Sequence, residues 1–320
     1  VNAISIGYNA GNNLQGYDSI AIGSYSGSLN QQHQAISVGF NAGFFNQNYY
    51  SIAIGLEAGI NNQNVASIAI GKHAGYTNQQ FYATSIGYHA GKIQQEPGGI
   101  AIGYAAGNQY QGNSSIAIGA LAGLYRQSNV AVGIGYSAGR QNQQENAIAI
   151  GSYSGSFNQR LDSIAIGNRA GHSEQKNTAV AIGNQAGYNN QGDYSIAIGY
   201  KSGYNDQCNN SIILNATNSE LNCTISNSLF IKPIKKADAN YIDSNILYYD
   251  QQTGEIVYDD KINLGNNTEV KGSINFDNFP LQNVNIISSS QINSESIQSR
   301  SFSGDGIINN ISDLNNNNND

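Results

Sequence analysis

Eight carboxylates are spread over residues 1–210: Asp18, Glu57, Glu96, Glu145, Asp162, Glu174, Asp193 and Asp206. Hydrolysis of a glycosidic bond needs two carboxyl groups flanking it, one as acid and one as base or nucleophile. Here the acids are single and change position from one sequence repeat to the next, so no pair forms in neighbouring repeats. The four histidines, His33, His73, His89 and His172, lack the close spacing of a metal-binding cluster. Cys208 and Cys223 stand 15 apart, almost one repeat. Stacked repeats would bring them near enough for a disulfide, although two buried free thiols is the simpler reading. No catalytic residue, metal site or cofactor is implied. A glycan-degrading β-helix enzyme is the alternative that these acids argue against.

The residues with regular spacing are amides and glycines. Glutamine recurs every 16 residues at Gln15, Gln31, Gln47, Gln63, Gln79, Gln95, Gln111, Gln127, Gln143, Gln159, Gln175, Gln191 and Gln207. Eight residues before each stands one glycine and four before it another, in pairs such as Gly7 and Gly11, Gly23 and Gly27, Gly119 and Gly123, and Gly199 and Gly203. Thirteen copies without insertion or deletion are the signature of a solenoid. The glutamine column is expected to stack as an amide ladder that fixes register; a glycan-binding stripe is the alternative.

Each copy opens on a phrase such as Ala3-Ile4-Ser5-Ile6-Gly7. Alternation of large and small residues with period 2 predicts a strand whose isoleucines face one side and whose small residue faces the other. The isoleucines together with an alanine are expected to form a thin core, so that an aspartate at Ile118 would open the stack locally. Ala10 and its equivalents should pack where the chain turns back. Successive coils then pair in parallel at roughly 4.8 Å.

The predicted fold is all-β: a parallel β-roll or β-helix solenoid of thirteen 16-residue coils over residues 1–210, capped by 211–236. A β-hairpin module follows over 237–262, from Asn245-Ile-Leu-Tyr-Tyr249 and Glu255-Ile-Val-Tyr258 around a glycine-bearing turn. Residues 263–320 read as an Asn/Ser-rich tail, disordered or ordered only by winding with other chains. Aromatics follow the first glycine at Tyr8, Phe40, Tyr88, Tyr104, Tyr136 and Tyr200. They are candidates for a binding surface on sugars or a protein partner; packing between chains is the other reading. Phe44, Tyr76, Tyr188 and Tyr204 follow the second glycine in the same way.

Charged residues make up 11% of the chain and the formal net charge is −7, without a basic run. Nucleic acid and anionic membranes are therefore not expected partners, and no stretch is apolar enough for a membrane span. The chain lacks methionine, which suggests a processed product or fragment. Thr77, Thr84 and Thr178 share no column, against ice binding, and calcium-binding glycine–aspartate turns do not occur. Asn-x-Ser/Thr triplets begin at Asn113, Asn209, Asn215, Asn222, Asn266 and Asn310, as chance allows in so Asn-rich a chain.

The Ser/Ala-Ile-Ala-Ile-Gly-x-x-Ala/Ser-Gly phrase resembles the head repeat of YadA-like trimeric autotransporter adhesins over residues 3–215. That resemblance implies a left-handed parallel β-roll, a homotrimer, and attachment to a host surface protein or glycan. The strict period of 16 is longer than those heads usually show, and neck, stalk and anchor are not found in this sequence. Ser226-Asn-Ser-Leu-Phe-Ile-Lys-Pro-Ile234, Ile246-Leu-Tyr-Tyr-Asp-Gln-Gln-Thr-Gly-Glu-Ile-Val-Tyr258 and Phe302-Ser-Gly-Asp-Gly306 are similar to segments of fibre proteins from large DNA viruses and phages. The expected setting is thus a fibre on a virion surface, with a bacterial surface adhesin as the alternative.

Overall fold

The computed structural model describes residues 2–235, 246–250 and 252–259. The chain divides into two compact units, Val1–Ala237 and Asp238–Asp320. Regular structure among the described residues is entirely β, with no helix. The tail expected over 263–320, with Phe302 and the triplets at Asn266 and Asn310, lies outside the described residues.

The first unit is a parallel β-solenoid with one turn per 16-residue copy. The Ile-Ala-Ile strands, from Ile4–Ile6 to Ile196–Gly199, hydrogen-bond in sequence order and continue through Ile212–Asn215 and Leu229–Lys232 into a 15-stranded sheet. Partners are one copy apart, as in Ile4↔Ile20 and Ile100↔Ile116. A second ladder of nine strands runs from Asn13–Gln15 to Gln141–Gln143, and single bridges at Phe157, Ser173, Asn189 and Asn205 prolong it.

Which side of the Ile-Ala-Ile strand is inside differs from the expectation. The alternation is present, but its sense is reversed. The small middle residues, such as Ala21, Ser37, Ala53, Ala117 and Ala165, are completely buried, whereas the isoleucines point outward, with Ile198 39% exposed. Ala42, Ala58, Ala74 and Ala122 at the inner bend, and Ser19, Ser51, Ser67 and Ser115 before the strand, are also buried. Among the described residues, the only long side chain fully buried in the regular coils is the glutamine, from Gln31 to Gln191. The reason is width. A methyl group built on Gly75 would lie 3.0 Å from Ala69 Cβ, so the two walls already touch across the lumen. An isoleucine cannot enter a space filled by alanine, serine and one amide.

Both glycine columns are demanded by the backbone. At the first, φ lies between 110° and 132°, and a Cβ on Gly23 would sit 2.6 Å from the Gly39 carbonyl oxygen of the next coil. At the second, φ is close to +50°, and a Cβ on Gly27 would strike Gln31 Oε1 at 2.7 Å. The second glycine is thus required by the glutamine four residues later. Three other columns, beginning at Asn9, Leu14 and Asp18, are also left-handed, with non-glycine residues as bulky as Tyr25, Leu121 and Val130 at φ near +60°. Each such residue costs about 1–2 kcal/mol, borne because the coil closes in only 16 residues.

The cap replaces the repeat chemistry. Ile213 pairs with Ala197 and is fully buried, filling the lumen with an apolar side chain where the glutamine column has ended. Asn215 takes the place of the glycine. Its Nδ2 donates to the Tyr200 and Ser219 carbonyls at 2.7 Å, and its Oδ1 accepts from the Thr217 backbone and hydroxyl. Cys208 and Cys223 are joined in a disulfide, with Cα atoms 6.0 Å apart, so the free-thiol reading is corrected. The returning chain bridges Ser202 through Leu221, which brings Cys223 back over the last full coil.

In the second unit, Ile246–Tyr249 and Ile256–Asp259 form an antiparallel hairpin. Asp250 organises its turn by accepting the Gln252 and Thr253 backbone N–H groups. Those bonds, the Gln252 one foremost, hold its carboxyl below the usual carboxylate range.

Candidate functional site

The glutamine column forms a continuous ladder through most of the lumen. From Gln31 to Gln175, each Nε2 donates to the Oε1 of the glutamine one coil on, at distances from 3.0 Å (Gln95 to Gln111) to 3.4 Å (Gln111 to Gln127). The same nitrogen donates to a strand carbonyl 11 residues earlier, as Gln111 does to Ile100 at 2.7 Å. Each amide therefore ties its own strand, its own turn and the next coil together. Gln15 and Gln207 lie outside the ladder; they bond to Ile4, and to Ile196 and Ser211. Gln31 Oε1 and Gln207 Oε1, where the chain of amides stops, are the two buried amide oxygens without a donor among the described residues. The column is enclosed, so it is out of reach of any ligand.

The six aromatics of the first-glycine column are all exposed, Tyr8 most at 69%. They do not form one platform. Tyr88 and Tyr104 stack in parallel at 5.4 Å. Tyr8 and Phe40 meet only through Tyr25, which lies edge-on to both. Tyr136 meets Tyr153, whose phenol is held above its ordinary range first by the hydrogen bond with Tyr136. Tyr200 lies under the Lys201 ammonium. Tyr25 and Tyr153, the bridging residues, sit one position later, in the left-handed column that sequence reasoning passed over. In the second-glycine column, Tyr188 and Tyr204 stack at 5.0 Å, and His172 extends the stack at 4.9 Å. Burial, and then the Arg169 guanidinium, keep His172 below the usual imidazole range.

Five of the eight array carboxylates, with their histidine partners, are taken up in contacts between neighbouring coils. Asp162, Glu174, Asp193 and Asp206 each accept an amide from the copy before. Glu57 pairs with His73 at 3.0 Å, and His73 Nδ1 lies 2.8 Å from His89 Nε2. Burial, followed by the charges of Lys92, His73 and Lys72, lowers the pKa of His89. No group of three or more His, Cys, Asp or Glu able to hold a metal occurs among the described residues, and no described helix is long and apolar enough to cross a membrane.

No family model, curated protein or solved structure matches the chain.

Two surface features therefore remain as functional candidates. The first is the isoleucine face. Two outward columns cross all fifteen strands, from Ile4 and Ile6 to Leu229 and Ile231, and Thr84 is the only polar residue in them. The second is an asparagine ladder on the other sheet, which the sequence pattern did not single out. Asn30, Asn46, Asn62 and Asn78 pass amide bonds from coil to coil at 3.0–3.2 Å, and Asn142, Asn158 and Glu174 do the same further on. Asparagine tolerates the left-handed backbone of this column, so its frequency there was the available signal.

Proposed function

We propose that the protein is a structural and attachment protein: a homotrimeric β-roll fibre presenting a repetitive surface to a host surface protein or glycan. One observation carries the assembly. Fifteen strands at 4.8 Å make an apolar strip about 70 Å long and two side chains wide, on the order of 700 Å². A patch larger than a few hundred Å² on a soluble chain marks a contact surface. The lumen needs no isoleucine, so selection for folding alone does not account for the two columns. A flat β face repeated without interruption suits a second and third copy of itself, and the trimer is the assembly that the adhesin-like phrase implies. The engagement of five of the eight array carboxylates by amides and histidine favours a non-catalytic role. A virion fibre is the preferred setting, on the fibre-like phrases after residue 225; a bacterial surface adhesin is the alternative.

Native mass in solution tests the reading. A value three times the 34.0 kDa of the chain is expected. A monomer whose isoleucine face stays exposed would overturn it.

A further inference from the structure

The array's eight cationic side chains are not evenly spread, and two of them edge one groove. A trough of about 490 Å³ lies on the asparagine-ladder side, between Arg126, Asn142, Asn158, Arg160 and Glu174. A second hollow of about 330 Å³, lined by Tyr110 and Tyr125, flanks the same Arg126 and Asn142 side chains. The coil arithmetic explains the shape. Arg126, Asn142, Asn158 and Glu174 occupy one column, and Ser128, Gln144 and Arg160 the column two residues on. Between them runs the buried glutamine column, so the two outward rows become banks and the groove follows the solenoid axis.

We propose that this groove binds an oligosaccharide bearing carboxylates, such as one with an acid on every second sugar. Neither the Arg126 nor the Arg160 guanidinium makes an ion pair or hydrogen bond among the described residues, so each offers a planar fork matched to a carboxylate. The two arginines stand two coils apart, roughly 10 Å along the axis, which suits alternate acids of one extended chain rather than a single ion. Between them, Asn142 uses one Nδ2 hydrogen on Asn158 at 2.8 Å and retains a second donor. Tyr110 and Tyr125 are 50% and 38% exposed and supply the flat apolar surfaces on which sugar rings pack. Glu174 closes the far end. Its Oε1 accepts from Asn158 at 2.5 Å, and its charge repels a further carboxylate. The net negative chain, with a cationic trough, favours an acidic sugar chain held locally over general adhesion to acids.

This inference deepens the attachment reading and rests on it for its biological sense, but its test stands apart. Calorimetric titration of the full chain would use a hyaluronan hexasaccharide as acidic probe and chitohexaose as the neutral chain of equal length, with native mass measured on every sample. Saturable binding of the acidic probe is expected, weakening with added salt. Arg126→Ala and Arg160→Ala should each weaken it about tenfold or more, the loss of one charged hydrogen-bonded pair, and Tyr110→Ala several-fold. Tyr17→Ala, an exposed residue far along the array, should leave it unchanged. Equal binding of the neutral probe, absence of binding, or full affinity in both arginine variants would overturn the inference. So would a fall in native mass in those variants, which would make the groove a contact between copies. Binding by a monomer would keep the groove and remove the trimeric fibre.

Discussion

The lumen and the isoleucine face of this solenoid divide polar and apolar residues in the reverse of the usual way. Inside are serine, alanine and a file of glutamines; outside, on one wall, are two files of isoleucine. An ordinary domain has room to bury its large apolar side chains against one another. A 16-residue coil does not. Its walls meet across alanine, and the one long residue admitted also ties a strand carbonyl to a turn carbonyl, as Gln111 does with Ile100 and Ser115. Glutamine does this with two donors and an acceptor on a slim stem. The isoleucines are then free to act between molecules. Polar closure sets the coil, and apolar surface sets what the coil joins.

Paired substitutions would break that comparison most sharply. Gln111→Leu removes the bonds to Ile100, Ser115 and Gln127 and the one accepted from Gln95, and leaves buried Gln127 Oε1 without a donor. At about 1–3 kcal/mol for the orphaned group and about 1 kcal/mol for each further lost bond, the expected cost is about 4–6 kcal/mol. Ile118→Asp, on the outer wall, should change the stability of the separated chain by less than about 1 kcal/mol while lowering the native mass of the assembly. Denaturant unfolding and native mass together read both. If Ile118→Asp unfolds the chain and Gln111→Leu does not, the lumen described above is wrong.

The period, the strand, both glycine columns and the glutamine stack were legible in the sequence because each is a fixed residue type at a fixed interval. The sense of the alternation was not, since period 2 says that neighbours face opposite ways without saying which way is in. A signal did exist. The middle position admits only Ala, Ser and Gly, as at Gly133, whereas the flanking position accepts Thr84: the intolerant column is the crowded one. The left-handed column that begins at Asn9 gave little sign, because backbone closure imposes it on Tyr25, Glu57 and Lys201 alike. Arg126 and Arg160 are 34 residues apart, two coils and two residues. That relation acquires meaning only once the columns flanking the glutamines are known to be outward banks.

The end of the solenoid offers a second contrast with its middle, and a smaller effect. Interior coils are held by neighbours on both sides, while the last is held by Ile213, Asn215 and the Cys208–Cys223 bond. Opening a loop of 15 residues restores chain entropy to the unfolded state worth about 3 kcal/mol. Cys208→Ser with Cys223→Ser should therefore raise hydrogen exchange in Ile212–Asn215 and Leu229–Lys232 first. The strands at Ile100–Ile102 and Ile116–Ile118 should keep their protection. Uniform loss of protection along the array would show that the coils unfold as one block.

The smallest expected effect separates the outer aromatic stacks from the lumen by pH. His172 stacks on Tyr188 and meets the edge of Phe157, and its pKa is lowered by burial and by Arg169. The folded chain thus binds the proton less readily than the unfolded chain. The associated stability is complete above the ordinary imidazole value near 6.5 and is lost as pH falls from there through the lower folded value. His89, lowered in the same sense, adds to the slope, whereas the glutamine ladder has nothing to titrate. For a half-buried ring beside solvent the change is expected to be small, on the order of 1 °C in melting temperature between pH 7 and 5.5. His172→Phe, which keeps a flat ring in the stack, should remove part of that slope. An unaltered pH profile in this variant would mean that the stack holds His172 equally well in either charge state.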